Sequence, residues 1–458
     1  MKRIDLILAT ILFCYAKPGF TQLDASLLEF PEFKLLRSEE DYRRLKGNHT
    51  LKRWWQKIKY LPLGKNSFVS LGGDVRTEFQ LLNNEEWTTG NHDIALFQRL
   101  MVPSDWRSSN QVRIFGQLKN GFTIGRNGPR FSLNDDALAI HQLFVGWQLG
   151  HSTFELGRRE ISYGSSRLLS IREGTNIRQS FDGARWIWKK TAYQLDVLLY
   201  AYNPQEVGVF DNVITTNSLL WRAYGVWNLP KANNLNLDIY YLGVRNEETF
   251  FEEGSELETR HSFGLRHWGS VGQWGYNNEA IFQFGKFGEG TIRAWTLSTD
   301  TYYRFSGKNK ATIGLKAEMI SGDNDPFDGN LQTFNPLYPR GGYFGLLALI
   351  GPANLFDLHP SFKIALTEKW QFNLDWDFFW RHRLNDGIYF PSGRLNLASQ
   401  NSVERFIGHQ PGVQLSFVVN RLIEVEASYF LFIAGPFIKD ISDGQRFSQL
   451  GASVHMKF

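Results

Sequence analysis

The feature that most constrains this chain is a regular alternation of apolar and polar residues, which recurs along its length in segments of about ten residues. Residues 69–81 (VSLGGDVRTEFQL) and 370–378 (WQFNLDWDF) are two clear examples. Successive side chains of a β-strand point to opposite faces, so each such segment forms a strand with one apolar and one polar face. Many strands of this kind predict a closed antiparallel barrel whose apolar outer face contacts lipid and whose polar inner face contacts water.

The composition of the 458 residues favours this fold over a helical membrane protein. Aromatic residues make up 15% of the chain, yet its mean hydropathy is negative, because the apolar residues are dispersed among polar ones. The longest apolar run, GLLALIGPA (345–353), is about nine residues long, whereas a helix needs about 20 to cross a bilayer. A formal net charge of only +4 also argues against nucleic acid as a partner.

The alternating segments number about eighteen, and the connections between them are short and long in turn. Short periplasmic turns and long outer loops are typical of bacterial outer-membrane barrels. Residues 343–350 also resemble a strand, but counting them would give an odd number and would move the C-terminus out of the periplasm. We therefore assign 321–359 to a long outer or infolded loop. A soluble all-β sandwich or propeller is the alternative, although the sequence has no repeat of about 40 residues.

The two ends of the chain fit an exported protein. Residues 1–21 begin with basic residues and continue with an apolar run, which predicts a signal peptide. This segment holds the only cysteine, Cys14, so the mature chain would have no thiol or disulfide chemistry. We expect 22–66 to form a short periplasmic segment and 67–458 to form the outer-membrane barrel. The alternating last segment stops on Phe458, like the C-terminal strand that such barrels present to their assembly machinery.

The motifs of common enzymes and metal sites are missing from the sequence. Its 10 histidines are scattered, without an HExxH motif or paired cysteines, so we predict no metal and no cofactor. Residues 321–330 (SGDNDPFDGN) are similar to a calcium-binding loop, but Phe327 occupies a ligand position and Gly329 comes one position late. An Asx-rich turn at a loop tip explains this segment better. We predict that the protein is not an enzyme.

One segment is distinguished by its charge. Residues 157–186 contain six arginines and only three acids, Glu160, Glu173 and Asp182. In the predicted strand order this segment rises along one strand, crosses a loop and descends along the next, so its arginines would surround one sector of the pore in its outer half. Arginine carries a permanent charge on a planar fork that suits carboxylate or phosphate. A solvated charged loop and a set of interstrand salt bridges are the other interpretations.

Four segments carry a family resemblance: GRREISYGSSRLLSIREGTNIRQSFDGAR (157–185), SLGGDVRTEF (70–79), SGDNDPFDGNLQTFNPLYPRGGYFG (321–345) and NLFDLHPS (354–361). Through them the chain resembles bacterial outer-membrane proteins of the alginate export family, over essentially the whole mature chain. REGxNxRxSFDGxR and TFNPLYPRG are the most specific motifs. The resemblance implies an eighteen-stranded barrel whose arginine-rich, electropositive constriction passes a polyuronate, with loops able to cover either mouth.

The same motifs imply which residues line the pore. The arginines that match them are Arg76, Arg158, Arg172, Arg178, Arg185 and Arg340. Asp182 would position arginines or pass cations. Arg158 and Arg159 lie on opposite faces of a strand, so only one of them can face the lumen unless a bulge forms near Gly157.

We therefore expect an arginine-lined channel for an anionic polysaccharide or oligosaccharide, alginate-like in chemistry, or for related anionic solutes. Outer-membrane lipid, the barrel assembly machinery and periplasmic components of export or uptake would be its other partners, and the direction of transport stays open. Two alternatives remain: a general diffusion porin, and a polysaccharide-modifying enzyme embedded in the barrel wall.

Overall fold

The structure is a computed structural model that describes residues 30–48, 51–108, 111–127, 132–229, 235–345 and 347–458. The predicted signal peptide, 1–21, lies outside these residues. None of the helices in the described ranges is long and apolar enough to cross a membrane.

The chain begins with short elements and continues with long strands. The first elements are two 3-10 turns, Arg37–Glu39 and Arg43–Leu45, helix α1 (Trp54–Lys57) and strands β1 (Leu61–Leu63) and β2 (Ser67–Leu71). The following strands are β3 (Asp74–Asn83), β4 (His92–Ser108), β5 (Val112–Ile124), β6 (Asp136–Leu149), β7 (Ser152–Arg159), β8 (Ser180–Lys189), β9 (Tyr193–Asn203), β10 (Ser218–Leu229), β11 (Leu235–Phe251), β12 (Gly254–Val271), β13 (Trp274–Phe287), β14 (Gly290–Arg304), β15 (Thr312–Ile320), β16 (Leu355–Ala365) and β17 (Trp370–Arg381). The last elements are β18 (Ile388–Tyr389), β19 (Leu395–Leu397), β20 (Phe406–Val418), β21 (Ile423–Ala434), helix α2 (Pro436–Ile441) and β22 (Phe447–Lys457), and a 3-10 turn, Glu85–Trp87, follows β3.

Eighteen of these strands form one closed antiparallel barrel. From β3 to β17 each strand pairs with the next one in the chain, and β20, β21 and β22 continue the wall after β17. The barrel closes where β22 pairs with β3, with Leu450 opposite Leu81. The fold class and the number of strands predicted from the alternation are therefore confirmed.

The alternation also separates the two faces of the wall. Apolar side chains such as Leu143, Leu156 and Leu199 point outward and are at least half exposed. Residues directly opposite each other on paired strands share a face, so the strand register assigns each neighbouring residue to the outer or the inner side. The outer face is the surface that lipid covers in a membrane barrel, where apolar residues cost least.

Two long connections fold into the interior of the barrel. Residues 160–179, between β7 and β8, and 321–354, between β15 and β16, are largely buried among inward side chains of the wall. They touch each other through a bridge between Leu169 and Tyr338. We call them loop A (160–179) and loop B (321–354).

The conformation of loop B tests the prediction that residues 343–350 are not a strand of the barrel. Residues 343–350 form no strand in their described part, so the assignment of this region to a long loop is confirmed. The expected loop 321–359 was too long at its end, because β16 begins at Leu355. Residues 355–359 belong to the wall because they pair with 316–320 of β15.

The N-terminal segment packs against the barrel on the side of the short turns. Its apolar residues Phe30, Tyr42, Leu45 and Trp55 form a small core with Phe68 of β2. Arg37 of the segment donates hydrogen bonds to the carbonyls of Gly73, at 2.9 Å, and Phe458, at 2.8 Å. The bounds expected for this segment and for the barrel, 22–66 and 67–458, stay predictions.

Candidate functional site

Loops A and B meet inside the barrel through glycine residues. A Cβ atom on Gly174 of loop A would lie 2.9 Å from the amide nitrogen of Gly342 in loop B. A Cβ on Gly341 would lie 3.4 Å from Cγ of Arg172. Side chains at Gly174 would force the loops apart, so the sequence GG in loop B allows this close approach. The junction narrows the lumen from one side.

Two adjoining cavities lie between this junction and the wall formed by β3, β21 and β22, and we refer to them together as the passage. A cavity of about 240 Å³ begins at Glu85 and Arg126, on the side of the long loops. A second cavity, of about 370 Å³, extends toward Glu424 and His455 on the side of the short turns. The residues that line both cavities are Arg76, Glu78, Gln80, Gly174 and Gln449. These shared residues mark the waist of the passage, and we take it as the candidate pore.

Two guanidinium groups at the loop junction are not committed to a carboxylate. Arg340 is exposed and lines the larger part of the passage, where its guanidinium donates a 3.5 Å hydrogen bond to the carbonyl of Tyr343. Arg172, on loop A, has a positive φ of 55°. Among the residues that the structure describes, neither arginine forms an ion pair. Arg340 is therefore available to an anion in the passage, and Arg172 lies next to it, with its Cγ beside Gly341.

Acids share this passage with the arginines. Glu424 and Glu426 line it on the side of the short turns, and Glu78 lies at the waist. Glu78 accepts a 2.7 Å hydrogen bond from Gln80 and lies 3.7 Å from Arg76. Glu173 also lines it at the loop junction, and Glu85 and Glu86 lie at its long-loop end, so arginines and carboxylates are interspersed along the passage. An arginine-rich, electropositive constriction therefore stays a prediction.

Arg178 lies at the centre of a buried network. Its guanidinium contacts Glu173, lies 3.3 Å from Glu160 and 4.0 Å from Asp74, and is fully buried. Burial opposes ionisation of Glu173, but Arg178 and Arg99 outweigh it and hold the pKa of that carboxyl well below its usual range. A buried charge is tolerated when ionic and hydrogen-bonding partners compensate it, as here. Arg178 therefore holds loop A in place.

Arg76 supports the same loop from the wall. Its guanidinium donates hydrogen bonds to the carbonyls of Glu173, at 3.0 Å, and Thr175, at 2.8 Å. It also borders the passage, with a small exposed fraction of the side chain. Arg76 can both carry loop A and face the waist of the pore.

Arg185 lines a separate cavity of about 670 Å³ near the short turns. It points inward, 2.8 Å from Glu155 and 3.6 Å from Asp196. Arg266 lines the same cavity and lies 2.8 Å from Asp238. Both arginines are compensated by acids, so this cavity carries little excess positive charge.

Arg158 and Asp182 are placed outside the pore, which corrects their predicted role. Arg158 pairs with Leu143 and Asp182 with Ala201, on the outward face of the wall. The two side chains form a bidentate ion pair, with distances of 2.8 and 2.9 Å. No bulge forms at Gly157, where the register stays regular, so Arg158 follows the outward parity of Leu156.

The inward arginine of this pair is Arg159, and it is paired too. Its guanidinium contacts Glu155 and lies over the ring of Phe144. Arg167, in loop A, lies 3.4 Å from Glu279 and 2.9 Å from Glu318. Sequence reasoning missed these three acids, although each lies at an inward position of its strand and could have been found by the parity of β7, β13 and β15.

Comparison with protein families and with solved structures gives one consistent result. The model of the alginate export family matches residues 67–448. No curated protein matches the sequence significantly.

Solved outer-membrane porins share the fold. The structure of OccK2 (OpdF) of Pseudomonas aeruginosa in complex with glucuronate has a TM-score of 0.56 and 11% identity, over 85% of this chain and 96% of that one. OpdK of Pseudomonas aeruginosa with vanillate has a TM-score of 0.56 and 12% identity, over 85% and 98%. A BenF-like porin from Pseudomonas fluorescens Pf-5 has a TM-score of 0.58 and 11% identity, over 85% and 99%.

These findings agree with the closed barrel, its apolar outer face and its water-accessible passage. The barrel lies in the bacterial outer membrane and forms a channel. With a family match across nearly the whole barrel, the chain belongs to the alginate export family.

Proposed function

We propose that this outer-membrane channel passes carboxylate-bearing saccharides, a polyuronate or its oligomers, and that Arg172 and Arg340 are the groups that meet them. The observation that carries the proposal is the position of Arg340, which lines the passage at the loop junction without an ion pair among the described residues. Arg172 lies next to it on loop A, with its Cγ beside Gly341. The other arginines of 157–186 hold loop A and the wall.

The comparisons support a carboxylate as the ligand chemistry. The family is named for the export of alginate, and two of the similar porins were solved with glucuronate and vanillate, both of which carry a carboxylate. A guanidinium offers parallel N–H donors that match the two oxygens of a carboxylate. One or two such groups give selective but reversible contacts.

The acids beyond the waist fit the same proposal. A polyuronate carries a carboxylate on every sugar, so successive residues of the polymer can exchange contacts at Arg340 and Arg172. Glu424 and Glu426, on the side of the short turns, repel the same carboxylates. Conduction needs binding that is favourable at entry and weak enough to allow exit.

Planar-bilayer recordings of the purified protein test this function. We expect anion preference and stronger block by oligouronates than by neutral glucans of equal length. In Arg172→Ala and Arg340→Ala, the block by oligouronates should weaken, whereas Lys308→Ala, in the exposed short turn 305–311, should leave it unchanged.

Two results would contradict the proposal. Equal passage of neutral and anionic oligosaccharides would indicate a general diffusion porin. Release of reducing ends from a polyuronate by the purified protein would indicate an enzyme in the barrel wall.

A further inference from the structure

The wall on the far side of loop B carries three groups that can bind a metal ion. Asp357 and His359 lie two residues apart on β16 and face the interior, and Asp377 lies on β17. The register of the flanking pairs, Leu358 with Phe378 and Ser361 with Asp375, sets Asp377 across from His359. One ligand atom from each of the three side chains lies within 4.8 Å of the others, and all three residues are buried.

Asp357 is the unexplained member of this cluster. It is 4% exposed, and neither of its carboxylate oxygens has a hydrogen-bond partner among the described residues. The nearby Glu318 is satisfied by Arg167 and Tyr343, which leaves no cation for Asp357 from that side. Lys316 faces the same space from β15, where it pairs with His359, but it forms no ion pair among the described residues. A buried ionised carboxylate without partners is costly, so a bound cation would stabilise this position.

His359 is held in the orientation of a metal ligand. Its Nε2 contacts Oδ1 of Asp375, which is partly exposed, and its Nδ1 contacts Oδ1 of Asp377 in an ion pair that lacks hydrogen-bond geometry. Metal-binding histidines commonly donate one ring N–H to a carboxylate, which leaves the lone pair of the other nitrogen for the metal. Asp375 would therefore be the positioning residue, with Nδ1 of His359 as the ligand.

We propose that Asp357, His359 and Asp377 bind a divalent first-row transition metal ion, for which Zn²⁺ is the probe. One imidazole and two carboxylates suit such an ion, whereas calcium and magnesium prefer oxygen ligands alone. Ligand atoms around tetrahedral Zn²⁺ lie about 3.4 Å apart, since each bond is about 2.1 Å long. The ligand atoms lie within 4.8 Å of one another, so each separation changes by at most about 1.4 Å to reach that arrangement.

The ion would also support loop B. Oδ2 of Asp377 lies 3.5 Å from Nε2 of Gln410, and the same Nε2 donates a 3.0 Å hydrogen bond to the carbonyl of Phe344 in loop B. A bound ion would fix Asp377 and, through Gln410, the adjacent backbone of the loop. Metal binding to the folded state stabilises it by mass action.

The test uses the full-length barrel, purified in detergent, stripped with a chelator and titrated with Zn²⁺. We expect about one tightly bound zinc per chain by elemental analysis, and an X-ray absorption spectrum with one imidazole and oxygen ligands. Asp357→Asn and Asp377→Asn should each abolish stoichiometric binding. His409→Ala, which removes an outward histidine on β20, should leave it unchanged.

A further variant separates metal binding from a structural role of the same residues. Asp375→Asn keeps all three ligands, so we expect it to retain the stoichiometry while weakening zinc affinity by about 10- to 100-fold. Absence of zinc binding in the folded wild-type barrel would overturn the proposal. So would a zinc stoichiometry in folded Asp357→Asn or Asp377→Asn that equals the wild-type value.

Discussion

Arg178 and Arg340 lie in two neighbouring regions of the same lumen, yet their surroundings differ completely. Arg178, at the base of loop A, is fully buried and contacts Glu173 and Glu160. Arg340, at the junction with loop B, is exposed to the passage and has no ion pair among the described residues. Both residues lie in the segments through which the sequence resembles the family. The charge that a solute meets in this pore is therefore decided by the partners of each arginine, and the number of arginines in the sequence is a poor measure of it.

The largest effect should come from Arg178→Met. It leaves the buried Glu160 without its arginine and the partly exposed Glu173 with Arg99 alone, and breaking a buried ion pair in this way costs about 3–5 kcal/mol. We expect the free energy of unfolding in urea, followed by tryptophan fluorescence, to fall by that amount. The heat-modifiable folded form should decrease accordingly.

Arg340→Met is the matched control for this comparison. Its side chain faces the passage, so its removal should change the free energy of unfolding by less than about 0.5 kcal/mol. Equal stability of the two variants would contradict the assignment of a structural role to Arg178 and of a solute-facing role to Arg340.

The outward pair Arg158–Asp182 gives the next largest effect. Arg158→Leu leaves Asp182 alone on the lipid-facing surface and should destabilise the barrel by about 1–3 kcal/mol. The double variant Arg158→Leu with Asp182→Leu should recover most of this loss, because no unpaired charge remains. A double-mutant cycle of unfolding free energies measures the coupling. Unchanged stability together with altered ion selectivity would instead place Arg158 in the pore.

The contrast between these arginines shows how far the sequence predicts this molecule. Strand positions follow from local alternation, so the barrel, the eighteen strands and the loop at 343–350 could be predicted. Which of Arg158 and Arg159 faces the lumen depends on whether the strand bulges at Gly157, and the structure shows regular pairing there.

The partners of the arginines could not be read from nearby sequence. Arg167 is paired by Glu279 and Glu318, which follow it by more than 100 residues. These acids approach only because loop A folds into the barrel and reaches β13 and β15. The excess of arginine over acid within 157–186 therefore disappears once the distant strands are included.

A smaller effect is expected when the charge of Arg340 is reversed. Arg340→Ala should lower the anion-to-cation permeability ratio by roughly threefold and Arg340→Glu by roughly tenfold, the latter equal to about 1.4 kcal/mol. Reversal potentials across a salt gradient measure the ratio. Because the Debye length falls from about 10 Å at 0.1 M to about 3 Å at 1 M, the effect should shrink at high salt. If the anion-to-cation permeability ratio at low salt is the same in wild type and in both Arg340 variants, Arg340 has no role in ion selectivity.

The smallest effect concerns a cation that is buried like Arg178 but lacks an ion pair among the described residues, like Arg340. Lys59 of the N-terminal segment donates a 2.8 Å hydrogen bond to the carbonyl of Leu71, and burial, reinforced by Arg37, lowers its pKa to about 7. The ordinary pKa, 10.5, applies when the segment is undocked, so the undocked state binds more protons between these two values. Docking should therefore become more favourable as pH rises, by about 1 kcal/mol between pH 7 and 8, which hydrogen exchange of residues 30–60 can measure. In Lys59→Met this pH dependence should vanish. If wild type and variant respond equally to pH, burial does not suppress the charge of Lys59. The charge state of a cation in this protein would then depend on its ion-pair partners and not on its burial.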